Sequence, residues 1–408
     1  MNSISHVSRI GFGGAVMVGL ALGMVWAAWG SADLPTALEE LPLSSEARSL
    51  TDEASVGHDR DKMALSLAET GWRLIAQGRS ERAAKAFELA SALVPDQASF
   101  LVGLGFSQRL LGRDDLAVAT LERAITLDPR AVKARRLLGT MYEQRGEMEA
   151  AVRHYEGAFR QDPSDETLRA RLFTARRQSQ AEARFDRLFS AHFVVTYPGS
   201  TDRGIANDIA DRLETAYHEI GRRLSYFPTA PITVVLYPDW QFQEVTSSPK
   251  WVRGLFDGRI HLSIEELAGD LAARQAALRH EYTHAVVHRL SGGHAPTWLT
   301  EGLALYFEGG DAVRHREDLR RQARTRLPLT SLHGSFLSLE ARSARLAYAE
   351  SYGATRALLQ RHGLTGVRRL LETLAVVPDL ATAFETALPE RYSDFQTAWA
   401  RMAARTRF

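Results

Sequence analysis

A 34-residue register in the first half of the chain restricts its fold more than any other feature. Pro95, Pro129 and Pro163 keep this step, and so do Gly78, Gly112 and Gly146. Ala83, Ala117 and Ala151 follow it, then Phe87, Leu121 and Tyr155, then Ala90, Ala124 and Ala158. Gly71, Gly105 and Gly139 complete the pattern. A unit of this length is a pair of helices that cannot bury its apolar face alone, so successive units must stack. Small residues let the paired helices approach, the large residue fills the gap, and proline closes each unit. Three units are expected, near residues 64–97, 98–131 and 132–165. That is the minimum for a stacked core. Residues 166 to about 188 are expected to form a capping helix. Such an array has two uses: a concave surface for a protein partner, or a docking platform with nothing in its groove.

The second half carries His280-Glu281-Tyr282-Thr283-His284, which reads HExxH. Histidines at i and i+4 stand one turn apart on one helical face and can bind the same Zn²⁺ ion. Glu281 faces the same cleft without being a ligand. There it can take a proton from water at the metal. The bland alternative is an exposed polar turn of an ordinary helix. The flanking residues favour the metal. A helix is expected over Leu271–Leu290, with Asp270 as N-cap and Ser291-Gly292-Gly293 as its end. After Pro296, residues Thr297 to Glu308 read as a second, largely buried helix. A catalytic zinc needs three protein ligands and one open position. Glu301, near the start of the second helix, is the natural third ligand. The HExxHxxGxxH alternative is excluded, because Val287 and Leu290 stand where glycine and histidine are needed. His288 reads as a surface histidine, His294 as a rim residue in the Gly-rich loop, and Glu308 as an ordinary helix acid.

The first 32 residues bear on location. The stretch from Ile10 to Ala32 has no charge and is long enough to cross a hydrocarbon core. Arg9 precedes it, and Asp33, Glu39 and Glu40 follow. The positive-inside bias therefore puts everything after it outside the cytoplasm. The rival is a cleaved signal peptide, with Gly30-Ser31-Ala32 as a weak site. Bulky Trp26 and Trp29 favour a retained anchor. Gly19 and Gly23 form a weak GxxxG. Net charge is +1, so nothing suggests nucleic acid. There is no cysteine, which excludes disulfides and thiolate metal sites.

The repeat register is that of tetratricopeptide units. The later half resembles the peptidase MA-like gluzincins, bacterial zinc metallopeptidases distantly similar to thermolysin. The residues that carry the resemblance are Leu278-Arg279-His280-Glu281-Tyr282-Thr283-His284 and Pro296-Thr297-Trp298-Leu299-Thr300-Glu301-Gly302-Leu303-Ala304. It runs from about residue 190 to 390. Within it, strands are expected at Ala191–Tyr197 and Ile232–Tyr237, with a helix over 203–226 between them. A hairpin is expected from Gly254 to Leu262 around Asp257-Gly258. The resemblance implies that this hairpin borders the substrate cleft. Two departures stand out. The interval from His284 to Glu301 is shorter than in thermolysin. The hairpin also lacks the GxMEN pattern of zinc aminopeptidases, which points to an endopeptidase. Related enzymes hold a tyrosine or histidine over the metal to stabilise the oxyanion. Tyr348 is the candidate here and Tyr352 the reserve; both as core aromatics is the competing reading. A glycine break is expected at Gly363.

The expected fold is α+β: an all-α tetratricopeptide solenoid, then a gluzincin-like zinc peptidase domain, with an N-terminal transmembrane helix. The expected segments are an anchor at 1–32, a linker at 33–63, repeats and cap at 64–188, and the peptidase domain at 189–408. The repeats and the peptidase domain are expected to be separable folding units. The expected function is a zinc peptidase, with His280, His284 and Glu301 as metal ligands and Glu281 and Tyr348 as catalytic residues. It would be a single-pass protein of the bacterial inner membrane, its catalytic domain facing the periplasm or cell exterior. Its substrate would be a protein or peptide, and the repeats would hold a protein partner. The alternative is an inactive envelope adaptor that uses only the repeats.

Overall fold

Stacked helix pairs run directly into a small mixed sheet and a second layer of helices. The structure, a computed structural model, describes residues 57–201, 203–250, 252, 254–265, 267, 270–309 and 327–405. The expected anchor at 1–32 and most of the expected linker lie outside these residues. Among the described residues no helix is long and apolar enough to cross a membrane. The first helix, α1 (Gly57–Ala76), begins inside the expected linker. The array therefore starts about two turns ahead of residue 64.

Five more helices complete three pairs: α2 (Ser80–Leu93), α3 (Ala98–Leu110), α4 (Asp114–Leu127), α5 (Val132–Gln144) and α6 (Met148–Gln161). The repeat register now has an atomic cause. A Cβ added at Gly71 would come within 2.7 Å of Phe87, at Gly105 within 2.7 Å of Leu121, and at Gly139 within 2.5 Å of Tyr155. Each glycine thus faces the large residue of its own pair. Gly78, Gly112 and Gly146 turn the chain between paired helices with φ of 70°, 70° and 72°, a left-handed conformation that suits glycine.

The cap is α7 (Glu166–Glu182), started by Asp165, whose side chain accepts from the Leu168 amide at 2.9 Å. It is shorter than expected, because the sheet begins inside the stretch expected to be helical. The first strand is β1 (Phe185–Phe189), paired antiparallel with β2 (Phe193–Pro198). The sequence Phe-Asp-Arg-Leu-Phe has no strong strand alternation of its own. It becomes a strand because β2 offers a free edge.

After α8 (Arg203–Leu224) come β3 (Ile232–Tyr237), α9 (Asp239–Thr246) and the expected hairpin, β4 (Gly254–Phe256) with β5 (Ile260–Ser263). The sheet order is β1-β2-β3-β5-β4. The β2–β3 and β3–β5 pairs are parallel, and both edge pairs are antiparallel. Every residue of β3 is buried, so the sheet is covered on both faces. Ile232, Val234 and Leu236 join the main core with Leu213 of α8. That core continues through Tyr282 and Val286 of α10 (Leu271–Ser291), Trp298 of α11 (Thr297–Glu308) and Leu358 of α12 (Ala341–Leu374). Gly363 breaks α12 as expected, with φ 65°. The chain finishes with α13 (Leu380–Ala387) and α14 (Tyr392–Arg405).

The opposite face of β3, Val235 and Tyr237, packs on Phe242 and Val245 of α9 and on Ala181 of α7. The cap of the repeat array therefore also covers the sheet. The two expected units thus share a packed face. The glycine turns point the same way: Gly78 faces Val376, Gly112 faces Thr229 and Gly146 faces Thr233. Thr233 donates its hydroxyl to the Gln144 carbonyl at 2.8 Å. Arg259 of the hairpin is fully buried and paired with Glu182 of α7, which is 7% exposed. Stranding one partner of such a pair costs about 3–5 kcal/mol. Repeats and sheet therefore share a buried, charge-paired interface.

Candidate active site

The helix that carries the HExxH residues is bounded as its sequence suggested. Asp270 accepts from the Ala273 amide at 2.8 Å to start α10, and Gly292, with φ 59°, ends it. His280 and His284 share one face, with ring centroids 4.9 Å apart. Packing of α11 along α10 brings Glu301 across to them. Its Oε2 stands 3.6 Å from His280 Nε2 and 3.5 Å from His284 Nε2. These distances are too long for hydrogen bonds, and this buried oxygen has no hydrogen-bond partner. Ligands about 2.1 Å from a tetrahedral zinc ion stand about 3.4 Å from one another. Both distances suit two ligand pairs of one small tetrahedral cation, and a cation would satisfy the orphaned oxygen; His280, Glu281 and His284 also offer donor atoms within 4.8 Å of one another.

The two imidazoles differ: against its burial, the Glu301 and Glu308 carboxylates hold His280 well above its usual range, so it must lose a proton to ligate. Burial lowers His284 to about 4 against the opposing Glu301 carboxylate. The ring is therefore neutral, which is the form that ligates. Burial raises the Glu281 carboxyl to about 7; His280 opposes this, and Glu301 and Glu308 add to it. A cation at the three donors would pull it back down.

Glu308 is not the ordinary helix acid that the sequence suggested. Its Oε2 lies 3.0 Å from His280 Nδ1, which orients the ring and leaves Nε2 for a metal. It stands seven residues, two turns, beyond Glu301 on the same face of α11. That spacing was the available signal.

Around these groups lies a cleft of about 650 Å³. Its walls come from α10, from Thr297, Thr300 and Leu305 of α11, and from all three residues of β4. The hairpin does border the cleft. Gly254 lies so near the site that a Cβ there would come within 2.1 Å of Glu281 Oε1 and 2.5 Å of its Cδ. Sequence reasoning passed over this glycine as an ordinary hairpin residue. Tyr348 lines the cleft too. Burial, with Glu301 and Glu281 adding, raises its hydroxyl well above the usual tyrosine range, so it stays protonated and can donate. Tyr352 is buried away from the cleft, with the Arg356 guanidinium 5.9 Å over its ring. His288 corrects another expectation. It is a cleft residue, not a surface one, with its ring 5.3 Å from that of Phe256. His294 is exposed, in keeping with its place in the Gly-rich loop.

Comparison with known families gives two matches. Residues 222–403 match the Peptidase MA superfamily. Residues 69–130 and 111–166 match the tetratricopeptide repeat. The order is the one read from the sequence, although the first match begins at the end of α8 and leaves out β1 and β2. A comparison with curated proteins finds no match.

Proposed function

We propose, from the premise that this chain carries a Peptidase MA superfamily domain behind tetratricopeptide repeats, that it is a zinc-dependent peptidase that cuts within protein chains. The observation that carries this reading is the orphaned Glu301 oxygen, set at nearly equal distances from two imidazole nitrogens. His280, His284 and Glu301 would hold the ion. Zinc bound there supplies Lewis acidity that acidifies water and polarises a carbonyl. Glu281 takes the proton of the attacking water on its carboxylate and returns it to the leaving amine. Tyr348 donates its hydroxyl to the oxyanion. The outer edge of β4, an end strand of the sheet, pairs with an extended substrate backbone. The missing GxMEN pattern supports internal cleavage over removal of amino-terminal residues.

The apolar segment at 10–32 supports a single-pass anchor, with the catalytic domain on the periplasmic or outer side of a bacterial inner membrane. The repeats supply a surface for a protein partner. In test, the full chain should sediment with membranes through a high-salt wash. Reconstituted with zinc, it should bind one ion per chain and cleave fluorescein-labelled casein until a chelator is added. Absence of metal after reconstitution would sink the enzyme and leave the adaptor. Recovery in the soluble envelope fraction would mean that the segment is a cleaved signal peptide.

Gly254→Ala gives a finer check. The new methyl must displace Glu281, and misplacing a catalytic group by about 1 Å costs on the order of 10²-fold in rate. Metal content should not change. A rate within threefold of the native chain would show that Glu281 does not depend on its contact with β4.

A further inference from the structure

We propose that the Glu182–Arg259 pair is a latch through which the repeat array positions the cleft-edge strand, which makes the capping helix α7 part of the catalytic apparatus. This rests on the peptidase reading for its consequence but not for its geometry.

Strand β4 is only three residues long and lies at the edge of the sheet. Backbone pairing to β5 alone is a weak tether for so short a strand. The hairpin is held instead from the repeat side. Arg259 donates to both carboxylate oxygens of Glu182, at 2.7 and 3.0 Å. The Tyr237 hydroxyl donates to the same carboxylate at 2.5 Å. At the hairpin turn, Asp257 accepts from Gln178 of α7 at 3.2 Å and lies 2.9 Å from His261 Nε2. Two residues of α7 thus grip the turn and the residue just ahead of β5, none of these groups lining the cleft.

On the cleft side β4 has no slack, because Gly254 lies against Glu281 with no room for a Cβ. Between the two sides the packing is continuous. Val252 and Leu255 line the cleft and also belong to the apolar cluster that includes Ala181 and Phe185. A shift of α7 relative to the sheet therefore reaches the substrate edge and the base together. A repeat surface used only for recruitment would not need a buried charge pair to the hairpin that carries the cleft edge. Glu182 and Arg259 are positioning residues: neither touches the reacting atoms.

The test uses the full zinc-loaded chain and the double variant Glu182→Leu/Arg259→Met. Removing both charges leaves neither Glu182 nor Arg259 as an unpaired buried ion, whereas either change alone strands its partner; the Tyr237 hydroxyl loses its acceptor, so a melting curve checks the fold and Tyr237→Phe is added to the variant if it falls. Hydrogen exchange at residues 254–256 should quicken by about tenfold or more while α10 is unchanged. Casein cleavage should lose about tenfold or more in kcat/KM with one zinc still bound. Val376→Ala, at the Gly78 contact, should change neither. The latch is refuted if β4 exchange in the double variant stays within twofold of native, or if Val376→Ala reproduces its effects. It is also refuted if exchange quickens while cleavage stays within threefold. Should the native zinc-loaded chain fail to cut casein at all, the peptidase reading alone falls, and the exchange data still decide whether α7 holds the strand.

Discussion

Glu281→Gln should bind zinc as the native chain does and lose peptide hydrolysis by on the order of 10²–10⁴-fold or more, because only the base is removed. Glutamine keeps the shape of a side chain that is 8% exposed and packed against Gly254. It cannot accept a proton from water. The substitution therefore separates chemistry from folding and from metal binding. Elemental analysis, a melting curve and a casein assay together read the outcome. Activity within a few-fold of the native chain would mean that another group is the base. Tyr348 could not take that part, since its hydroxyl is held protonated by burial and by the carboxylates beside it.

Glu301→Ala should abolish stable zinc binding at neutral pH, while Glu308→Ala should weaken it by about 10–100-fold, the usual cost of losing an outer partner of a ligating histidine. The two acids share a face of α11 but stand in different places. Glu301 Oε2 lies 3.5–3.6 Å from both Nε2 atoms, and Glu308 Oε2 lies 3.0 Å from His280 Nδ1. Loss of the first removes a ligand. Loss of the second frees the His280 ring to turn. A zinc titration against a competing chelator should rank native above Glu308→Ala above Glu301→Ala. Equal affinities for the two variants would reject the assignment of Glu301 as a ligand.

Much of this was legible in the chain because its signals are local or periodic. The 34-residue step specified the helix pairs, and each glycine of the step does face the large residue of its own pair. The i, i+4 spacing put His280 and His284 on one face, and Asp270 and Gly292 bounded their helix. The alternating and fully apolar runs specified β2 and β3. Glu301 was readable because an acid at the start of a buried helix needs a partner.

Other features depend on segments far apart in sequence. Phe185–Phe189 is a strand only because β2 is there to pair with it. Gly254 matters only because folding sets it against Glu281, and His288 lines the cleft only because β4 folds over it. Tyr348, not Tyr352, lines the cleft because the packing of α12 decides which side of the helix meets it. Glu182 and Arg259 lie 77 residues apart, and nothing at either position announces the other. The sequence by itself determined the repeat period, the helix that carries the histidines and the chemistry of the three donors, since each follows from spacing along one element. Only the tertiary structure decided that the repeat cap also covers the sheet and grips the cleft edge. A buried charge is tolerable only beside its counter-charge, and that neighbour is supplied by a different element of the fold.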